Sequence, residues 1–216
     1  MVKFNSLSKY AFDHYPIKRA KDSNFEWVET ARNNFLESSS PNISKCPGIF
    51  SVMGLGWIQY SHRDIYINTN GDGVSINHHI PSKFRSEFSH DSVELHGPDQ
   101  LSDFIDLGEN TLKTIVKIGS PWWVEIPKGY SLLCMPVAYS GETKFTAATG
   151  ILRGKMPLHV QLYWHHMNGT AKIKQGTPLN QLILLKDGVQ DYDVGYIDDA
   201  YSYIEIDENG RIAKKQ

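Results

Sequence analysis

His62-Arg63-Asp64 carries the His-x-Asp spacing of the facial triad that holds non-haem iron. There an imidazole and a carboxylate two residues apart share one strand face, and a second imidazole arrives from a distant strand. Three coordination positions then stay open for substrate and oxygen. His159, His165 and His166 stand in the second half of the chain as candidates for the distant ligand. With Fe2+ as cofactor, this set defines one enzyme alternative, a jelly-roll oxygenase of the 2-oxoglutarate type. Such an enzyme also needs a cation shortly after the distal histidine. No Arg lies between Arg153 and Arg211, which leaves Lys172 or Lys174 for that role. His165-His166 and His78-His79 are adjacent pairs, and a strand points neighbours to opposite faces, so neither pair chelates one ion. His90 and His96 flank Asp91 and Glu94 in a polar stretch, where solvation is the expected role.

Other chemistry is harder to build. Asn68-Thr69-Asn70-Gly71-Asp72-Gly73 opens like a calcium loop, but the twelfth position, where a bidentate Glu is needed, is His79. A hairpin turn is the expectation. Cys134 sits in the apolar run Leu132-Leu133-Cys134-Met135, where a thiol packs rather than reacts, and Cys46 precedes Pro47-Gly48. The chain contains no nucleophile elbow, P-loop or dinucleotide fingerprint, and no catalytic residue is assigned. Trp122-Trp123 must face opposite ways in a strand, one ring into the core and the other onto a sheet face, an interface or a groove. With Tyr130 and Tyr139, these tryptophans are the candidate binding or interface residues.

The composition narrows the partners. A formal charge of -2 offers no clustered basic surface for nucleic acid, and none is expected. No stretch approaches the roughly 18 apolar residues of a membrane span, and no apolar signal core follows Met1, so a membrane location is not expected. Two distant cysteines fit a reducing compartment. Asn42-Ile43-Ser44 and Asn168-Gly169-Thr170 match the glycosylation pattern but carry little weight without a secretion signal. Basic residues gather in the first 22 positions and acids in 187–216, and both ends read as solvated.

The elements that would position these residues are mostly strands. Aromatics make up 12% of the chain, which favours sheets over helix bundles. Ser23-Asn24-Phe25-Glu26 is a capping box, and Phe25, Val28, Ala31 and Phe35 follow at helical spacing, which predicts a helix over 24–36. Residues 1–22 show no sustained period. Alternating patterns predict strands at 57–60, 64–68, 74–77, 111–118, 122–126, 130–136, 143–152, 158–165, 171–174, 179–186 and 201–206. Asn70-Gly71 or Asp72-Gly73 supplies a hairpin turn, and 79–110 reads as a long polar loop. The expectation is an all-β protein, a β-sandwich, jelly roll or β-clip-like barrel, with one N-terminal α-helix. It divides into an arm and helix over 1–40, a β domain over 41–186, and an acidic extension with a terminal strand over 187–216.

Two resemblances add to this reading. Tyr139-Ser140-Gly141, Gly150-Ile151 and Gly176-Thr177-Pro178-Leu179-Asn180-Gln181-Leu182 stand in the order of three motifs of the deoxyuridine triphosphatase and deoxycytidine triphosphate deaminase β-clip. Its chemistry does not follow, because Arg153 occupies the place of the catalytic Asp, no Tyr stands three residues beyond, and Tyr139 replaces the phosphate-binding Arg. That resemblance implies a catalytically inactive deoxynucleotide-binding protein. Cys46-Pro47-Gly48, Pro121-Trp122, Pro127-Lys128-Gly129-Tyr130-Ser131 and Gly176-Thr177-Pro178-Leu179-Asn180-Gln181 resemble, in order, the motifs of an uncharacterised family of tailed phages of aquatic bacteria. It implies a phage-type protein, in the host cytoplasm or associated with the virion, and transfers no functional residue. The leading expectation is a non-catalytic binding or assembly protein that forms homo-oligomers or takes protein partners.

Overall fold

The computed structural model describes residues 1–38, 40, 42–81 and 92–188, and the backbone of 204–206 and 212–214. The chain begins with β1 (Lys3–Ser6), α1 (Lys9–His14), β2 (Lys18–Arg19) and a 3-10 turn at Ala20–Asp22. α2 (Glu26–Ser38) and α3 (Pro47–Met53) follow, then β3 (Trp57–Tyr60), β4 (Ile65–Asn70), β5 (Ile76–His79) and β6 (Val93–His96). A 3-10 turn at Pro98–Gln100 leads to β7 (Ile115–Ile118), β8 (Trp122–Glu125), β9 (Tyr130–Met135), β10 (Phe145–Ala147) and β11 (Gly150–Leu152). The last elements are β12 (Lys155–Pro157), β13 (Val160–Trp164), β14 (Asn168–Ile173), β15 (Pro178–Lys186), β16 (Ile204–Ile206) and β17 (Ile212–Lys214).

The protein is all-β as expected, with every described strand pairing antiparallel. Two pairs of sheets enclose two cores. The sheets ordered β10-β13-β7-β6 and β14-β4-β5 bury Ile65, Ile67 and Ile173 against Val116, Leu162 and Trp164. The sheets ordered β1-β8-β12 and β11-β9-β15-β3-β2 bury Trp122 and Val124 against Leu132, Cys134 and Leu182. Strand alternation makes this possible: β4 runs buried, half-buried, buried over Ile65-Tyr66-Ile67, and β13 repeats the pattern from Val160. A third, smaller cluster joins Ala20, Ile58 and Val137 with Phe25 and Tyr60 on the outer side of the five-stranded sheet.

Several local expectations are corrected. The predicted helix starts later, at Glu26, because the Ser23 hydroxyl is engaged by the Tyr60 hydroxyl at 2.6 Å instead of capping the helix. Two further short helices, α1 and α3, join it; Pro47 opens α3 at a position where a missing N–H costs nothing. The N-terminal residues are ordered by sheet pairing, with Phe4 opposite Val124 and Arg19 opposite Trp57. The single strand expected over 143–152 is two, β10 and β11, which enter different sheets. The stretch 79–110 contains β6, paired with β7, while 82–91 lie outside the described residues. Pro127-Lys128-Gly129 is the turn that carries the chain from β8 to β9, with Gly129 at a φ of 81° and Tyr130 N–H donating to the Pro127 carbonyl.

Candidate functional site

The His-x-Asp tripeptide does not lie in a strand. It forms the corner between β3 and β4, so the alternation that would turn His62 and Asp64 to one side does not operate there. Ser61, His62 and Arg63 are all buried, and the Ser61 hydroxyl donates to the Arg63 carbonyl at 2.6 Å. Asp64 is engaged on both oxygens: Oδ1 accepts the Gln175 N–H at 2.9 Å, and Oδ2 pairs with Lys172 Nζ at 2.7 Å. The Asp64 carboxylate, by that hydrogen bond, raises the pKa of Lys172. Gln175 Nε2 donates to the His62 carbonyl at 2.9 Å and to the Tyr10 hydroxyl at 2.6 Å. The corner thus ties α1 and the β14–β15 turn to the β3–β4 connection.

The candidate distal histidines flank β13. His159 lies between β12 and β13, whereas His165 and His166 follow β13. Both ring nitrogens of His165 are held, Nδ1 by the Thr111 hydroxyl at 3.2 Å and Nε2 by the Thr146 hydroxyl at 2.8 Å. His166 is half-buried, and its carbonyl accepts from the Thr69 hydroxyl. Among the described residues no group of three or more His, Cys, Asp or Glu side chains is placed to hold a metal ion. The triad of His62, Asp64 and a distal histidine is therefore not assembled. The calcium-like loop is a hairpin cap: Asp72 Oδ1 accepts from Val74 N–H at 2.8 Å and Ser75 N–H at 2.6 Å, while Oδ2 accepts from the Ser75 hydroxyl. Those bonds, the Ser75 hydroxyl first, hold its carboxyl well below the usual range. In the other polar set, Glu94 pairs with Lys117 at 2.8 Å and His96 with Gln100, while His90 and Asp91 lie outside the described residues.

The aromatic candidates divide as alternation requires. Trp122 is buried in the core and Trp123 is half-buried on the opposite face of β8. Tyr130 begins β9 in an exposed position. Tyr139 is exposed in the loop after β9 at a φ of 56°, and its carbonyl accepts from Trp27 Nε1 at 2.8 Å. A non-glycine residue in that region is uncommon, and this bond from α2 helps to fix it. Trp27 was not foreseen as its partner, since nothing in the sequence places α2 beside that loop.

Among the clefts near the quoted motifs or helices, three bear on the candidate residues. One of about 240 Å³ is bordered by Tyr139, Ser140, Gly141 and Glu142. Another of about 380 Å³ lies at β11, between Gly150-Ile151 and the side chains of Lys117 and His159. A third of about 360 Å³ lies between α2 and α3, with Phe25, Val28, Phe50 and Met53 inside and Lys21 and Arg32 at its border.

The register of the five-stranded sheet exposes a feature no motif announced. Leu152, Leu132 and Leu184 are cross-strand neighbours and face the core. The next row, Ile151, Leu133 and Ile183, must face outward. The helical segments cover this outer face only over β3, where Ile58 lies under Ala20 and Phe25 and where Gln181 bonds the end of α3. Over β9 and β11 none of the described helices covers the row, and Ile151 is 52% and Leu185 38% exposed while Leu133 and Ile183 are half-buried. Sequence showed the alternation of each strand, but only the pairing aligns the three outward side chains.

No family model matches the chain, and no curated protein does. Among solved structures it is similar to the dUTPase of Staphylococcus bacteriophage 80alpha, at 12% identity over 92% of this chain and 97% of that one, with a TM-score of 0.42. The dUTPase of phage phi11 of S. aureus gives 11% identity, 92% and 97% coverage and a TM-score of 0.42. The EIAV dUTPase gives 11% identity, 91% and 100% coverage and a TM-score of 0.36. Likeness at this level carries no residue's role across to this chain.

Proposed function

We propose that the protein acts by assembly, as a non-catalytic phage-type β protein that binds further copies of itself, in the host cytoplasm or on the virion. The supporting observation is the open apolar row of Ile151, Leu133 and Ile183, extended by Leu185, on three adjacent strands. Contiguous apolar surface of this kind, on rigid strands, marks protein contact more than isolated exposed side chains do. A second copy is the chosen occupant because β11, which carries Ile151, is also the edge of its sheet among the described residues. Such an edge offers backbone donors and acceptors to an identical strand. The double variant Ile151→Asp/Leu185→Asp tests this. Sedimentation velocity should show association of the wild type at roughly 1–100 µM and weaker association in the variant, because a buried unpaired carboxylate is costly. Equal sedimentation of the two proteins would reject the sheet face.

A second reading, deoxynucleotide binding without hydrolysis, has one observation in its favour. The cleft of about 380 Å³ beside Gly150-Ile151 falls within the range of about 300–1,000 Å³ that ligand-sized pockets occupy, and Lys117 lies in its wall. A thermal-shift titration with deoxynucleoside triphosphates tests it, and no shift at millimolar ligand would remove it.

A further inference from the structure

The segment between β6 and β7 holds two large apolar side chains in solvent: Phe104 is 78% exposed and Ile105 54%. They do not sit on a loose loop. Gln100 N–H donates to the Gly97 carbonyl, Leu101 and Asp103 N–H to Pro98, and Phe104 and Ile105 N–H to Leu101, at 2.9–3.2 Å. Gly108 N–H closes the run on Asp106 Oδ1 at 2.8 Å. The result is a preformed knuckle, so little ordering entropy opposes its docking. Around it stand Asp99, Asp103, Asp106 and Glu109, with no Lys or Arg from 98 to 112. An apolar tip within an acidic collar calls for a cleft that combines apolar and basic side chains.

The chain carries such a cleft. Between α2 and α3, a cleft of about 360 Å³ is lined by Phe25, Val28, Phe50 and Met53 together with Ser23, Asn24, Lys21 and Arg32, with Asp22 the one acid among its lining residues. The Arg32 guanidinium lies 5.7 Å from the Phe50 ring centroid. None of the lining residues comes from the knuckle, so a protomer does not fill its own cleft. We infer that Phe104 and Ile105 of one protomer dock into the cleft between α2 and α3 of the next. The two surfaces differ, so the contact is head-to-tail and builds a ring or an open chain.

This inference rests on the assembly reading and specifies a second contact for it. The test uses the full chain in sedimentation velocity, with Phe104→Asp as the knuckle variant and Lys21→Glu/Arg32→Glu as the cleft variant. All three side chains lie at the surface or the border of the cleft, and circular dichroism checks that the variants fold. Burying one aromatic side chain corresponds to a roughly 10- to 100-fold change in dissociation constant, and each variant should weaken association by that factor. An equimolar mixture of the two variants retains one intact knuckle and one intact cleft. In the Ile151→Asp/Leu185→Asp background, which removes the sheet-face contact, it should therefore form a heterodimer and stop there, the signature of a head-to-tail contact. Adding Asp103→Lys/Asp106→Lys to the cleft variant restores charge complementarity and should recover association. Association of Phe104→Asp equal to that of the wild type, or a mixture that stays monomeric in that background while the wild type associates, would overturn this contact and leave the assembly reading standing. A wild type that is monomeric throughout would overturn both.

Discussion

Replacing Gln181 by Leu removes an amide that is fully buried and makes three hydrogen bonds. Its Oε1 accepts from Ala138 N–H at 3.1 Å, and its Nε2 donates to the carbonyls of Val52 at 2.8 Å and Leu55 at 2.7 Å. The side chain thus pins the loop after β9 and the end of α3 to β15. Val52 O keeps a second donor, Leu55 N–H, but the replacement leaves Ala138 N–H and Leu55 C=O without these partners. Two partly buried backbone groups that lose these partners cost at most about 1–3 kcal/mol each, less the gain from burying an apolar side chain, which leaves a net loss of about 1–3 kcal/mol. Against a total stability of about 5–15 kcal/mol, that is a large fraction. Urea unfolding followed by tryptophan fluorescence measures it as a lower midpoint with an unchanged slope. A loss below about 1 kcal/mol would refute the reasoning, since the amide would then be replaceable by packing alone.

Gly56 has a φ of 68°, and a Cβ built there meets the Leu182 carbonyl oxygen at 1.9 Å. Gly56→Ala should cost about 3 kcal/mol or more or abolish soluble expression, and a Tm within a few degrees of wild type would contradict the close approach of that turn to β15. Cys46 is exposed, whereas burial pushes the Cys134 thiol up to about 11. Ellman's reagent at pH 8 should titrate one thiol quickly and the second only in denaturant; two fast thiols would place Cys134 outside the core. Asp72 has its pKa depressed in the folded state, so it stabilises the fold above the ordinary carboxylate range, and this contribution fades as pH falls below about 4. Asp72→Ala should lower Tm at pH 7 and converge on wild type in acid, and a difference independent of pH would deny the carboxylate that role.

Strands whose outward positions are polar were legible because their burial follows the sequence period: β4 and β13 appear where alternation placed them. What sequence did not show is set by distant partners. β1 is a strand because Lys3 to Ser6 find Glu125 to Trp122, and nothing within residues 1–22 encodes that pairing. β10 and β11 read as one strand because the sequence does not mark the change of sheet between them. The His62 and Asp64 signal failed because a spacing of two has meaning only inside a strand, and these residues form a corner closed by Gln175 and Lys172. Phe104-Ile105 within four acids was visible as composition, but its rigidity required the hydrogen bonds of the turn. Gln181, quoted as part of a closing motif, owes its importance to contacts with Val52 and Leu55.

The most direct test of the account is sedimentation velocity of the wild type and of Ile151→Asp/Leu185→Asp over roughly 1–100 µM. The account predicts a wild type whose sedimentation coefficient rises with concentration and a variant whose rise is weaker and needs higher concentration. A wild type that sediments as a monomer throughout, or a variant that matches an associating wild type, would contradict it.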